Sequence, residues 1–454
     1  MQADKQTISD IELFSYKRSK KAIFDIYNQT VTCGGSKKLH HYLNYPVTDL
    51  DYLEMRRNEI SFFVNSKVEL KLDRRRMDFI EHYLKIGRFP LRPNWIDAYA
   101  DSIVDKLKQD SDYYVIREGI FHFVYLIKAF KNFIDDIDEC EIPESLQKRL
   151  EFSITLLNNH RLAKMIKNPL KRSGDISPIA MNTMDAFIRR KYNREVEMFL
   201  DTVYHIDVMS SMASMVTKND YSLVEYVDSK HPVFEAEECF HPLWEQPVCN
   251  DFSFIKDKNL CFLTGPNMSG KSTFLKTVGL LVYLAHAGFP VPASSLKLSP
   301  LNVLFTTINL ADNLGLGFSH FYSEVRRVKE MAIALQSKER MLVIFDELFK
   351  GTNVKDAFDA TLMVVQSLSR IENCFFFISS HILEVAEELA ESNRIDFKCF
   401  ESEIKNNKAQ YDYRIKNGIS EERIGYQIVK NENIENILNG IINRQTLQKV
   451  SVSE

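Results

Sequence analysis

Up to about Tyr226, apolar residues recur every third or fourth position in a stretch poor in Gly and Pro, and that spacing predicts helices. Phe199, Val203, Ile206, Met209, Met212 and Ala213 show the pattern: they lay one apolar stripe along a helix, as packing in a core requires. The segment Asn168 to Pro178 interrupts this region with Pro and Gly, which sit badly in a helix interior, so two long helices are expected to flank it. Beyond about Ser229 the pattern changes to short apolar runs: Leu260 to Leu263, Leu304 to Ile308, Met341 to Phe345, and Cys374 to Ile378. Helical stretches separate them. Buried strands alternating with helices predict a largely parallel sheet covered on its faces, so the second half reads as α/β.

A length of 454 residues exceeds what one core usually holds and implies at least two domains. Hydrophobic residues at 45% and charged residues at 26% are ordinary globular values and argue against a disordered, fibrous or membrane-embedded chain. Lys and Arg number 58 against 62 Asp and Glu, a formal net charge of -4, so any nucleic acid must be held by a local patch. Seven cysteines without a CxxC pair read as reduced, buried thiols rather than a disulfide framework or zinc site. Met1 to Phe14 lacks the apolar core of a signal peptide, and Val278 to Ala293 is broken by His286, Gly288 and two prolines. A cytoplasmic protein without membrane contact is expected.

Gly265, Pro266, Asn267, Met268, Ser269, Gly270, Lys271 and Ser272 fit GxxxxGK[ST], between a strand-like run and a helix-like stretch beginning at Thr273. Glycines let such a loop wrap until its N–H groups converge on phosphate oxygens at the positive end of the following helix. Lys271 is expected to reach the β and γ phosphates of ATP, and the Ser272 hydroxyl to ligate Mg²⁺. The run Met341 to Phe345 ends in Asp346 and Glu347, which places two carboxylates at the strand edge where open α/β sheets bind ligands. Asp346 would hold Mg²⁺ through its water shell, and Glu347 would polarise the attacking water. Two acids capping a strand can also be solvated turn residues. His381, after Cys374 to Ile378, would face the γ phosphate as a catalytic or sensing group, although a lone His is commonly a surface or core residue. The phosphate loop with its Lys271 favours the catalytic reading of Glu347, and the succession of strand ends favours that of His381.

The runs TGPNMSGKSTFLK, GFPVPA, FSHFYSE and DELFKGTN, followed by Ser380-His381, together resemble the ATPase domain of MutS-type DNA mismatch repair proteins. The resemblance extends loosely upstream through Cys33-Gly34-Gly35, Leu39, Leu43, Pro46 and Arg56-Arg57, and through His241-Pro242-Leu243. Downstream it includes Tyr413-Arg414, Gly418-Ile419-Ser420 and Gly425. It implies an α/β P-loop ATPase domain of ABC type, residues 229–430, preceded by a mostly α-helical core or lever domain, residues 1–228. A short helical tail, 431–454, would contribute to dimerisation. It implies a Mg²⁺-dependent ATPase that binds DNA as a homodimer, each site completed by its neighbour. Ser319 matches the serine presented across that dimer, and a helix N-cap is the alternative reading of it. Val248 falls where the family stacks an aromatic ring on adenine.

Departures shape the functional expectation. Ahead of about residue 20 there is no room for the family's mismatch-reading domain, and the helical half is short for two levers with a full clamp. Phe349 and Lys350 replace the usual Gly and Arg after the Asp-Glu pair, so the Gly351-Thr352-Asn353 turn is expected to be set differently. Basic clusters occur at Lys37-Lys38, Arg74 to Arg76, Lys164 with Lys167, Lys171-Arg172, and Arg189 to Lys191. They read either as phosphate contacts or as solvated helix faces. Lys164, Lys167, Lys171 and Arg172, flanking the break, are the foremost DNA-binding candidates. The expected function is ATP-driven dimer and lever rearrangement on duplex, mismatched or branched DNA. The alternative is a nucleotide-driven dimeric scaffold acting on a protein partner.

Overall fold

The structure, a computed structural model, describes residues 1–15, 21–108, 111–137, 141–157, 172–255, 257–308, 320–337, 340–405, 408–420 and 434–451. They form two compact units: residues 24–223 with 287–290, and residues 1–23, 224–286 and 291–454. The sequence expectation divides the chain at 228, whereas residues 1–23 group with the second unit here. A two-residue strand β1 (Gln2–Ala3) and a helix α1 (Lys5–Asp10) join the second unit, because β1 pairs with a strand of its sheet.

The first unit is helical: α2 (Ile23–Tyr27), α3 (Cys33–Asn44), α4 (Leu50–Ser66), α5 (Arg74–Leu84), α6 (Trp95–Lys108), α7 (Ser111–Ile137), α8 (Glu144–Leu157), α9 (Pro178–Ala186) and α10 (Asn193–Lys218). Helix α10 packs against α3, α4 and α8. Its stripe Phe199, Val203, Ile206, Met209 and Met212 is wholly buried, with Ala213 nearly so, as the spacing predicts. Cys33-Gly34-Gly35 opens α3 against α10. A Cβ on Gly35 would come within 2.4 Å of the Asp207 carboxylate, and one on Gly34 within 2.2 Å of the Tyr204 ring. Asp207 in turn accepts from Val31 N, Thr32 N and the Thr32 hydroxyl, fixing the entry to α3. The long helices are α7, with 27 residues, and α10, with 26. The helix that follows the Asn168 to Pro178 break is only nine residues long, because a wide turn at Phe187–Lys191 ends it.

In the second unit a seven-stranded sheet has the order β1-β7-β8-β9-β5-β10-β11. Its strands are β5 (Leu260–Thr264), β7 (Val303–Thr307), β8 (Met341–Phe345), β9 (Phe375–Ser379), β10 (Ile395–Lys405) and β11 (Lys408–Asn417), besides β1. All neighbours are parallel except the β10–β11 pair. Every residue of β5, β7, β8 and β9 is buried, which is why these strands read as continuous apolar runs. Crossover helices α11 (Lys271–Ala287), α12 (His320–Ser337), α13 (Val354–Leu368) and α14 (Leu383–Glu388) cover the sheet. A four-stranded sheet of β2 (Glu225–Tyr226), β3 (Phe234–Cys239), β4 (Asn250–Ser253) and β6 (Ser295–Leu298) accompanies it in the order β2-β6-β3-β4. The tail is one helix, α15 (Ile434–Ser451). No helix among the described residues is long and apolar enough to cross a membrane.

Candidate nucleotide site

Parallel strands bring their C-terminal ends to one edge of the sheet, and the sequence loads that edge with polar groups. The chain leaves β5 through Gly265 and enters α11 at Lys271. Gly265 has φ +139° and lies against the Phe400 carbonyl, which a Cβ would approach to 2.6 Å, so only glycine fits. Gly270 at φ +106° completes the wrap, and Met268 at φ +68° points its side chain outward, 80% exposed. The Lys271 ammonium is buried and donates to the carbonyls of Gly265 (2.7 Å) and Pro266 (2.9 Å). Burial lowers its pKa, against the opposing pull of Asp346 and Glu347. The buried hydroxyl of Ser269 has no hydrogen-bond partner among the described residues, as expected of a loop shaped for an oxygen-rich ligand.

The end of β8 delivers the acids. Asp346 N donates to Thr307 O at the end of β7 (2.9 Å). One carboxylate oxygen of Asp346 accepts from Ser272 Oγ (2.5 Å) and the other from Ser379 Oγ. A hydroxyl and a carboxylate in contact are two hard oxygen ligands of the kind Mg²⁺ takes alongside water and phosphate, so these residues fit that ion. Glu347 follows at φ +59°, its N–H donating to Ser379 Oγ (3.0 Å). His381 Nε2 lies 2.5 Å from Glu347 Oε1, and Lys350 Nζ lies 3.6 Å from Oε2. The bond to His381 is the chief reason the Glu347 pKa falls to about 2, with burial opposing and the charges of His381, Lys350 and Lys271 assisting. Phe349 adopts φ +59°, the left-handed region that glycine favours, so the turn keeps a glycine-like backbone despite the bulkier residue. Its buried ring sits 5.8 Å from that of Phe321.

Beside the loop lies a pocket of about 490 Å³. Asn267, Met268, Gly270, Lys271, Ser272, Thr273 and Glu347 line it together with Phe240, Trp244, Val248, Phe400 and Tyr413, and the Tyr413 ring stands beside Gly270 of the loop. Trp244 is 62% exposed and Tyr413 44%. Asn250 anchors Tyr413: its Nδ2 donates to Tyr413 O (3.0 Å), and Ile415 N donates to its Oδ1 (2.7 Å). The sequence reading singled out Val248 here and missed Trp244, Phe400 and Tyr413 as lining residues. Trp244, four residues before Val248 and one of two tryptophans, was the one available signal.

Lys271, Ser272, Asp346, Glu347 and His381 thus meet at one edge. Ser319, Lys164, Lys167 and Lys171 lie outside the described residues. Arg172 is exposed beside the short turn Ser173–Asp175, with its N–H donating to Asp175 (3.0 Å). Elsewhere the basic clusters are partly neutralised. Arg189 forks onto the buried Asp185 at 2.6 and 2.7 Å, Lys38 pairs with Asp201, and Arg76 stacks 3.6 Å from the Tyr125 ring centre.

Residues 261–447 match the family model of MutS domain V. The DNA mismatch repair protein MutS of Ehrlichia ruminantium (strain Welgevonden) is 27% identical over 248 residues, 53% of this chain and 30% of that protein. The MutS of Wolbachia pipientis wMel is 27% identical over 53% of this chain and 28% of its own length. MutS protein homolog 4 of Mus musculus is 30% identical over 49% of this chain and 24% of its own. The matched region therefore spans less than a third of each of these relatives.

Proposed function

Because this chain is a MutS-family protein through its domain V, we propose that it is a Mg²⁺-dependent ATPase that binds DNA in mismatch repair. On this reading, ATP binding and hydrolysis drive a homodimer and its helical levers to rearrange on duplex, mismatched or branched DNA. The observation that carries the reading is the convergence of Lys271, Ser272, Asp346, Glu347 and His381 beside a nucleotide-sized pocket. Lys271 exchanges its two loop carbonyls for phosphate oxygens, and Asn267 to Thr273 surround the phosphates. Ser272 and Asp346 would hold Mg²⁺, which supplies charge neutralisation on the phosphates. Glu347 orients the attacking water, and His381 holds Glu347 in place until the γ phosphate arrives. Val248, Trp244 and Tyr413 enclose the base.

Ser319 would be offered to the neighbouring subunit's phosphate. The exposed Ile434, Ile437, Leu438, Ile441 and Ile442 of α15 support an association role for the tail. Arg172, with Lys164, Lys167 and Lys171, would contact DNA phosphates without reading sequence. A cytoplasmic location follows from the same reading.

Calorimetry with and without Mg²⁺ tests the core of it, and a protein that binds no ATP in either condition ends the proposal. Glu347→Gln is expected to bind ATP within about twofold of the parent while turnover falls by about 10² to 10³. Electrophoretic shifts with duplex, mismatched and branched DNA across salt test the DNA half, where binding that falls with salt is expected.

A further inference from the structure

The chain's first residues belong to none of the nucleotide-binding motifs, yet they are bonded to the strand beside Asp346. Alternate residues of a strand turn their backbone groups to the same side. On the outer side of β7, β1 meets residues 302 to 304: Gln2 N donates to Asn302 O (2.8 Å), and Ala3 pairs with Leu304. Strand β1 ends there. Helix α1 serves the next two outward positions with side chains instead. Thr306 N donates to Thr7 Oγ1 (3.1 Å), and Ile308 N donates to Asp10 Oδ2 (2.9 Å), which also accepts from the Thr306 hydroxyl (2.7 Å). Thr7 and Asp10 are buried, so these bonds are shielded from water.

Asp4 adds a second tie. One of its oxygens caps α1 by accepting from Thr7 N (2.8 Å), and the other receives the Arg327 guanidinium of α12. Arg327 is 8% exposed and distributes its remaining donors to Thr307 Oγ1 (3.2 Å), Thr306 O (2.9 Å) and Glu330 (3.3 Å), above the Phe305 ring. A guanidinium this buried requires such a full set of acceptors. Burial resists ionisation of Asp4, but Arg327 and the Thr7 N–H hold its carboxyl below the usual range. The segment also touches the helix that begins at Lys271: Ile11 packs at Gly279, and Glu12 faces Lys276 Nζ at 3.4 Å.

Resting on the ATPase reading, we propose that residues 2–13 are a positioning strap for the nucleotide site. Through Asp10 and the Asp4–Arg327 pair, they fix the end of β7 whose Thr307 carbonyl holds the Asp346 backbone. The strap touches neither phosphate nor metal; it sets where the Asp346 carboxylate stands relative to Ser272.

The test uses the full chain with Asp4→Asn and, separately, Arg327→Lys. Asparagine keeps the helix cap while removing the counter-charge, and lysine keeps the charge while losing the fork. Amide exchange in the ligand-free protein is expected to quicken about tenfold at Asp346 and Glu347, while Phe375–Ser379 in β9 keeps its protection. Mg²⁺ enhancement of ATP binding is expected to fall about fivefold with Mg²⁺-free affinity unchanged. Unaltered exchange at Asp346 in both variants, or equal loosening of β8 and β9, overturns the strap. Wild-type protein that binds no ATP overturns the ATPase reading, while the exchange measurement still decides whether the strap holds Asp346.

Discussion

The loop and the apolar lining of the pocket are built on different principles. On the proposed ATPase reading, the phosphates would be met by a contiguous backbone loop, one lysine and strand-end acids, so the chemistry fixes residue types at fixed spacing. The apolar lining, Trp244, Val248, Phe400 and Tyr413, comes from three stretches of the chain, and of these Phe400 and Tyr413 meet the loop at Gly270. Charge must be matched atom by atom, whereas a flat apolar base needs area that many combinations of side chains can supply. On that reading the loop should tolerate almost no substitution, while the apolar lining should be able to redistribute its contacts.

That contrast can be broken in order of expected effect. Lys271→Ala should lower ATP affinity by about 100-fold or more, since no other Lys or Arg lines the pocket among the described residues; titration calorimetry reads it. Tyr413→Ala and Trp244→Ala should each cost about tenfold, as expected for loss of one aromatic face, and each should raise KM with kcat nearly unchanged. A loss at the apolar lining as large as that of Lys271→Ala would erase the distinction. Val248→Phe should tighten ATP binding about threefold by adding an aromatic face, and should partly rescue Trp244→Ala.

The smallest effect concerns acid. Glu347 has its folded pKa pulled down to about 2 from an ordinary 4.5, so its contribution to stability is present above pH 4.5 and lost as pH falls toward 2. Its side chain is 26% exposed, so screening should leave roughly 1 kcal/mol or less. The stability gap between wild type and His381→Ala, taken from urea midpoints, should shrink from pH 6 to pH 3. A gap independent of pH would remove the His381–Glu347 bond from the account.

The same division governs what could be read from the sequence. Met341 to Phe345 was legible to the residue, and Leu260 to Leu263, Leu304 to Ile308 and Cys374 to Ile378 to within one, because strands buried on both faces must be apolar throughout. Strands β10 and β11 escaped notice: charged residues such as Lys398, Glu401, Arg414 and Lys416 interrupt their apolar runs. Strand β1 escaped for another reason: Gln2–Ala3 carries no pattern of its own and is a strand only because β7 offers it an edge. Trp244 and Tyr413 were hidden because long-range topology, not spacing, brings them together. Phe349 shows what spacing does not reveal: a phenylalanine held at the positive φ that glycine favours.

The Lys271 ammonium is held by the carbonyls of Gly265 and Pro266, partners that phosphate would have to replace on the proposed reading. An incoming anion must therefore displace bonds that exist, not merely fall into a positive well. A small solitary anion such as sulfate gains little from that exchange, whereas a triphosphate recovers the loss along its length. If the ATPase reading holds, the latched lysine would act as a sieve, favouring long polyanions over the abundant simple ones.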